Sequence, residues 1–259
     1  ITGFDTTRII SHGGVGQDGN GGAGTIYLKS SAQLYGDLIV DNNNVSTAGD
    51  STPLPAIGSG ISTDLTMDTL SDDTESWRVD DLVGIFLNPN TSQDSVFKIL
   101  SNDATSITID SGDGDMIAVA ASGNTYRGEY IFDNIKIMGL AKVSGTYFTA
   151  DSVSLINNGI LTHPSTTITE EYRLVLNVNT LTIDFTSSID VRNKGYLGGY
   201  SGENKSTFGR TVGNTTTGGS TVPSGGSYGS LGGEYPGQDV NAVYGSLYNP
   251  DELGSGGGG

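Results

Sequence analysis

Residues 176–202 read LNVNTLTIDFTSSIDVRNKGYLGGYSG. Leu181, Ile183 and Phe185 alternate here with Thr182 and Asp184. A second short run, Ile189-Asp190-Val191, follows the polar corner Thr186-Ser187-Ser188. A two-residue period turns one set of side chains to a core and the other to solvent. The stretch then passes into NKGYLGGYSG, where Gly195, Gly198, Gly199 and Gly202 interleave with Tyr196 and Tyr200. Strand, polar corner, short strand and glycine turn make one rung of a coiled β-structure. Leu181, Ile183 and Ile189 are expected in its core.

The same rhythm occurs upstream. YIFDNIKIMGLAKVSG (130–145) carries Ile131, Ile135, Ile137 and Leu140, and TADSVSLINNGIL (149–161) carries Val153, Leu155, Ile160 and Leu161. The apolar runs are short and the corners hold Asn, Gly, Asp or Ser, as stacked coils require. Asn157-Asn158-Gly159 is a corner that accepts left-handed backbone geometry. Nearer the start, residues 25–41 alternate through Ile26, Leu28, Leu38 and Val40 around the polar corner Lys29-Ser30-Ser31. Tyr244-Gly245-Ser246-Leu247 echoes Tyr35-Gly36-Asp37-Leu38, and GSGGGG at 254–259 echoes the glycine tract at 19–24. The chain is therefore expected to hold one period of a long repeat, cut at both ends from a longer polypeptide.

Residues 42–76 are polar and turn-rich, entered through Asp41-Asn42-Asn43-Asn44 and punctuated by Pro53 and Pro55. From Trp77 to 128 the pattern changes to short apolar runs at 83–87, 96–100, 107–109 and 117–120. Turns at such spacing indicate a small antiparallel sandwich or barrel, with Trp77 in its core. No stretch combines a helical period with caps. The predicted fold is all-β: a right-handed parallel β-helix (solenoid) with an inserted small antiparallel β-sandwich or barrel module and a glycine-rich C-terminal segment. The predicted boundaries are 1–60 for the first rungs and glycine tract, 61–128 for the insert and 129–202 for further rungs. Residues 203–259 form a Gly/Tyr/Ser-rich segment leading into a next repeat.

Composition agrees with a thin core. Of 259 residues 40 are glycine, which buries almost no side chain, and 34% are hydrophobic. The net charge of −17 argues against nucleic acid and anionic membrane surfaces, which need clustered cations. Cysteine is absent, which excludes disulfides and thiolate metal or redox sites and suits a secreted or surface protein. No run approaches the ~20 apolar residues that span a bilayer.

Together, IKIMGLAKVSG, DSVSLINNGIL, LTIDFTSSIDVRNKGYLGGYSG and GGSYGSLGGEYPG with VYGSLYNPDELGSGGGG resemble the glycine-rich β-helix repeats of very large bacterial secreted or cell-surface, adhesin-like proteins. The segment WRVDDLVGIFLNPNTSQDSVFKILSNDATSITID is similar to a small β-module of such proteins. The resemblance covers most of the chain and is one of architecture. It implies an extracellular location, neighbouring copies as partners and a structural role, and it carries over no catalytic residues.

Candidate chemistry is sparse. Asp110-Ser111-Gly112-Asp113-Gly114-Asp115 is the best metal candidate: alternating Asp and Gly can turn Asp110, Asp113 and Asp115 toward a calcium ion. It departs from the EF-hand loop, since Ala121 stands where the bidentate Glu belongs, and a solvated turn is the plainer reading. His12 and His163 show no zinc-ligand spacing, and neither GxSxG nor GxxxxGK[ST] occurs. Nucleotide and redox cofactors thus have no support. Lys136, Lys142, Arg173, Arg192, Lys194 and Arg210 are candidate cations for a polysaccharide-cleaving groove, against the plainer reading of a solvated face. Tyr196, Tyr200, Tyr228 and Tyr235 could form a glycan-binding or self-association surface, or pack over glycine-flattened backbone. The expectation is a non-catalytic module of an extracellular fibre, surface layer or adhesin. Polysaccharide binding or cleavage is the alternative.

Overall fold

The computed structural model describes residues 5–47, 51–54 and 57–259; Pro55 lies outside them. The protein is mostly β, with 29% strand and almost no helix, in sheets of mixed and parallel strands. No closed barrel forms among the described residues. In chain order the strands are β1 (Ile26–Leu28), β2 (Asp37–Asp41), β3 (Thr52–Pro53), β4 (Ser59–Ile61), β5 (Asp64–Leu65), β6 (Thr69–Ser71), β7 (Phe86–Asn88) and β8 (Phe97–Asn102). They continue as β9 (Ser106–Ile109), β10 (Thr125–Met138), β11 (Lys142–Ser144), β12 (Tyr147–Leu155), β13 (Ile160–Thr162), β14 (Val175–Ile183) and β15 (Ser188–Ile189). Contacts divide the chain into two units. One is Ile1–Leu161 with Val175–Ser188, and the other is Thr162–Leu174 with Ile189–Gly259.

In the first unit β2, β10, β12 and β14 lie side by side, every pair parallel. Successive partners are 97, 18 and 28 residues apart in sequence, and the register holds through all four strands. Leu38, Ile135, Val153 and Leu181 form one aliphatic column, and Val40, Ile137, Leu155 and Ile183 form the next. The first three members of each column are buried. The solvent side is tied by a polar chain: Asn134 donates to Asp37 at 2.7 Å and Ser152 donates to Asn134 at 2.7 Å. At the far edge β1 pairs antiparallel with β2.

The corners stack as the strands do. Asn43 and Asn44, Gly139 and Leu140, and Asn157 and Asn158 are successive pairs with φ between 49° and 65°, the left-handed region that Asn and Gly enter most readily. The Asn44 amide donates to the Gly139 carbonyl at 2.9 Å and the Leu140 amide to Asn157 at 3.3 Å. In the fourth corner side chains take over: Asp184, Thr186 and Ser187 accept from the amides of Asn157, Asn158 and Gly159. Beyond the corners β11 runs parallel to β3, with β13 on its other side.

The chain between β2 and the parallel part of β10 forms an antiparallel assembly in the order β10-β7-β8-β9-β6-β5, with β4 also on β10. Its apolar centre includes Leu70, Leu87, Phe97, Ile99, Ile107, Ile109, Met116 and Tyr126. Trp77 packs edge-on to Tyr126 at 6.3 Å and donates its indole N–H to the Ile57 carbonyl. β10 pairs antiparallel over residues 125–129 and parallel over 130–138, so one continuous strand belongs to both arrangements.

The second unit holds no strand longer than two residues and only the isolated bridges Thr211 to Thr215 and Tyr228 to Ser230 among its described residues. Residues 254–259 are hydrogen-bonded to several of its segments. Tyr196 and Gly199 donate to the carbonyls of Gly254 and Gly257, both at 2.8 Å. Gly256 and Gly259 donate to Arg210 and Thr207, and Gly258 to Ser224. All of these hydrogen bonds run to neighbouring segments. A Cβ on Gly256 would be driven into the Leu197 carbonyl, so packing at this distance requires glycine. The buried side chains of this unit are polar apart from Tyr196 and Leu253, with Asn241 as hub. Its side chain accepts from Ser220 and from the Ser227 amide, and donates to Ser227, Ala242 and Thr211.

Candidate functional site

The acidic turn comes from the end of β9. Asp110 and Asp115 each cap a short 3-10 turn, accepting from the amides of Gly112 and Ile117 at 2.9 Å. Asp113 accepts from the Lys98 amide at 2.7 Å. The sequence pattern of alternating Asp and Gly thus builds two caps and a brace to β8. No group of three or more His, Asp or Glu placed to hold a metal occurs among the described residues.

Other carboxylates do similar work. Asp133 accepts from the amides of Tyr35 and Gly36. Asp184 is held well below the usual carboxylate range, chiefly by the Asn157 amide and then by Thr186 and Ser187. Asp72 is buried in the antiparallel assembly and accepts from Thr74 and from the Tyr126 hydroxyl at 2.7 Å. Burial by itself would raise the Asp72 carboxyl. The donors from Thr74 and Tyr126 outweigh it and leave the carboxyl lowered. Burial pushes the Tyr126 phenol far up, reinforced by Asp72 and Glu75.

The four tyrosines differ in exposure. Tyr196 is 4% exposed and its phenol is raised by burial and then by Glu171 and Glu252. Tyr228 is half-buried and packs edge-on against Tyr244 at 5.4 Å. Tyr200 and Tyr235 are exposed. Tyr196 is therefore part of the interior of the second unit.

Arg173, Arg192, Lys194 and Arg210 have polar partners. Arg173 bridges Glu171 and Glu252 at 3.0 and 3.4 Å, Arg192 forks onto Asp190 at 2.8 Å, and Lys194 donates to Ser165. Arg210 donates to Asn214 and the Ile168 carbonyl. Lys142 lies in β11. Lys136 points from the outer face of β10 into a cleft of about 500 Å³ with His12, Asp41, Ile9, Ile39 and Met138.

In the second unit an open groove of about 520 Å³ is lined by Phe208, Thr216, Thr217, Thr221 and Asp239. Phe208 is 43% exposed. An aromatic face beside hydroxyls and a carboxylate is a surface on which a polyhydroxylated ring can stack and hydrogen-bond. No sequence motif marks these residues. The available signal was Phe208, the single Phe between 203 and 259. Comparison of the chain with family models, curated proteins and solved structures returned no match.

Proposed function

We propose that the chain is a structural module of an extracellular fibre, surface layer or adhesin, built on successive coils of a right-handed parallel β-helix. The observation that carries this reading is the unbroken register of the Leu38 and Val40 columns through four parallel strands. Parallel crossovers are right-handed almost without exception. The carboxylates support the same reading: Asp133, Asp184, Asp110, Asp113 and Asp115 brace turns and corners. The test is incubation with a panel of neutral and acidic polysaccharides. No release of reducing ends or unsaturated sugars is expected. Release abolished by Lys136→Ala, which alters the one Lys or Arg among the described residues lining the outer cleft, would overturn the structural reading.

The groove in the second unit favours glycan binding as a second reading. Its carboxylate and the overall charge of −17 favour neutral over acidic glycans. Retention on a neutral glycan array that Phe208→Ala abolishes is the expected result; equal retention of both proteins would remove the groove from consideration.

A further inference from the structure

β14 is paired with β12 along one edge and, among the described residues, with no strand along the other. Two hydrogen bonds fix which of its backbone groups face β12: Val175 donates to Thr146 at 2.7 Å, and Asp184 donates to Leu155 at 3.0 Å. Alternate residues of a strand present their backbone groups to opposite edges. Counting inward from Val175 and from Asp184, the residues facing the open edge are Leu176, Val178, Leu181 and Ile183. The two counts meet at Asn179-Thr180, where the regular pairing with β12 skips Asp151 against Asn179. The same four residues carry the apolar columns, stacked on Phe148, Ala150, Val153 and Leu155. Val153 and Leu155 are 0% exposed, whereas Leu181 and Ile183 remain 43% and 41% exposed.

This spacing reads alike from either end. Leu176 and Ile183, and Val178 and Leu181, are symmetric about the Asn179-Thr180 step. A second β14 laid antiparallel would set Leu176 opposite Ile183 of the partner subunit and Val178 opposite Leu181 of the partner subunit. Every pair would then be matched in backbone orientation and in side-chain face. Electrostatics favours the same contact. Residues 175–183 contain no ionisable side chain in a protein of net charge −17, so here two acidic copies can meet without apposed carboxylates. Open edges are usually guarded by charge, proline or a bulge that turns them away, and β14 carries neither charge nor proline. The opposite edge of the sheet already closes with an antiparallel strand, β1 on β2.

We propose that β14 is a dimerisation edge, through which two copies of this chain join antiparallel about the Asn179-Thr180 step. The proposal rests on the stacked-coil scaffold reading, and it names the partner of that scaffold as a second copy of the chain.

The chain has no cysteine, so engineered thiols report on this contact without background. Val178→Cys mixed with Leu181→Cys should form a disulfide-linked dimer under mild oxidation. Leu181→Cys alone should not, because each thiol would sit about 10 Å from its own symmetry mate, beyond disulfide reach. Sedimentation should show a concentration-dependent dimer. Leu181→Lys should weaken it at least about 100-fold through two lost apolar contacts, while circular dichroism confirms that the variant folds. A monomer at every concentration would overturn the proposal. So would self-linkage of Leu181→Cys alone, the signature of parallel pairing. Sugar release tests the scaffold reading and leaves these measurements untouched, so the two can fail separately.

Discussion

Asp72 shows at the residue scale how this protein uses its acids. Its carboxyl is lowered on folding by Thr74 and Tyr126 against the opposing effect of burial. A lowered carboxyl gives stability that is present above its unfolded value, near 3.8, and is lost as pH falls through the folded value. Tyr126→Phe removes one donor to this buried acid and should cost about 1.5–3 kcal/mol at neutral pH. The urea midpoint is the measurement, with a smaller loss expected in strong acid, where the carboxyl is neutral. His163 acts in the second unit. Burial lowers its imidazole, Lys194 lowers it further, and the Pro164 carbonyl opposes both. The neutral form is the folded one, so stability should decline as pH drops below about 6.5, the ordinary value. His163→Gln should flatten that decline in a pH series of thermal melts.

Gly254 and Gly256 separate two uses of glycine at the scale of the element. A Cβ on Gly256 meets the Leu197 carbonyl, whereas one on Gly254 meets nothing. Gly256→Ala should cost about 2–4 kcal/mol, as overpacking against rigid backbone does. Gly254→Ala should be close to neutral in the same denaturation experiment. The acidic turn after β9 makes another element-scale prediction. Asp110, Asp113 and Asp115 already accept backbone amides, so EDTA should leave the melting temperature unchanged. A fall on chelation, reversed by calcium, would assign an ion to the turn. The αL corners were legible in Asn157-Asn158-Gly159, because few residues other than Asn and Gly accept that geometry. Leu140 at φ 65° was not legible, since its backbone is dictated by the corners stacked above and below.

Charge and core composition act at the scale of the whole molecule. With −17 distributed over 259 residues, like charges repel in the folded state, and salt screens them. Raising ionic strength from low to physiological should therefore raise the melting temperature; a fall would mean that the ion pairs of Arg173 and Arg192 outweigh the repulsion. The two units hold together by different means. The first has aliphatic columns and the apolar centre around Leu87 and Ile107. The second has hydrogen-bonded glycine segments around Asn241.

The sequence by itself determined that the protein is mostly β, because period-two apolar runs and Asn or Gly corners are local signals. It also marked Leu181, Ile183 and Ile189 as inward positions. Tertiary structure decided that Leu181 and Ile183 stay 43% and 41% exposed and Ile189 half-buried: whether a strand lies beyond β14 is a matter of stacking, which no local pattern encodes. It likewise decided that residues 254–259 are bound by hydrogen bonds to other segments. Glycine leaves no side-chain pattern to read, and its partners Tyr196, Thr207, Arg210 and Ser224 come from distant segments. The candidate sites divide the same way. Acidic turns announce themselves by composition, but only the folded backbone shows that their carboxylates are already engaged, and only it brings Phe208, Thr216 and Asp239 into one groove.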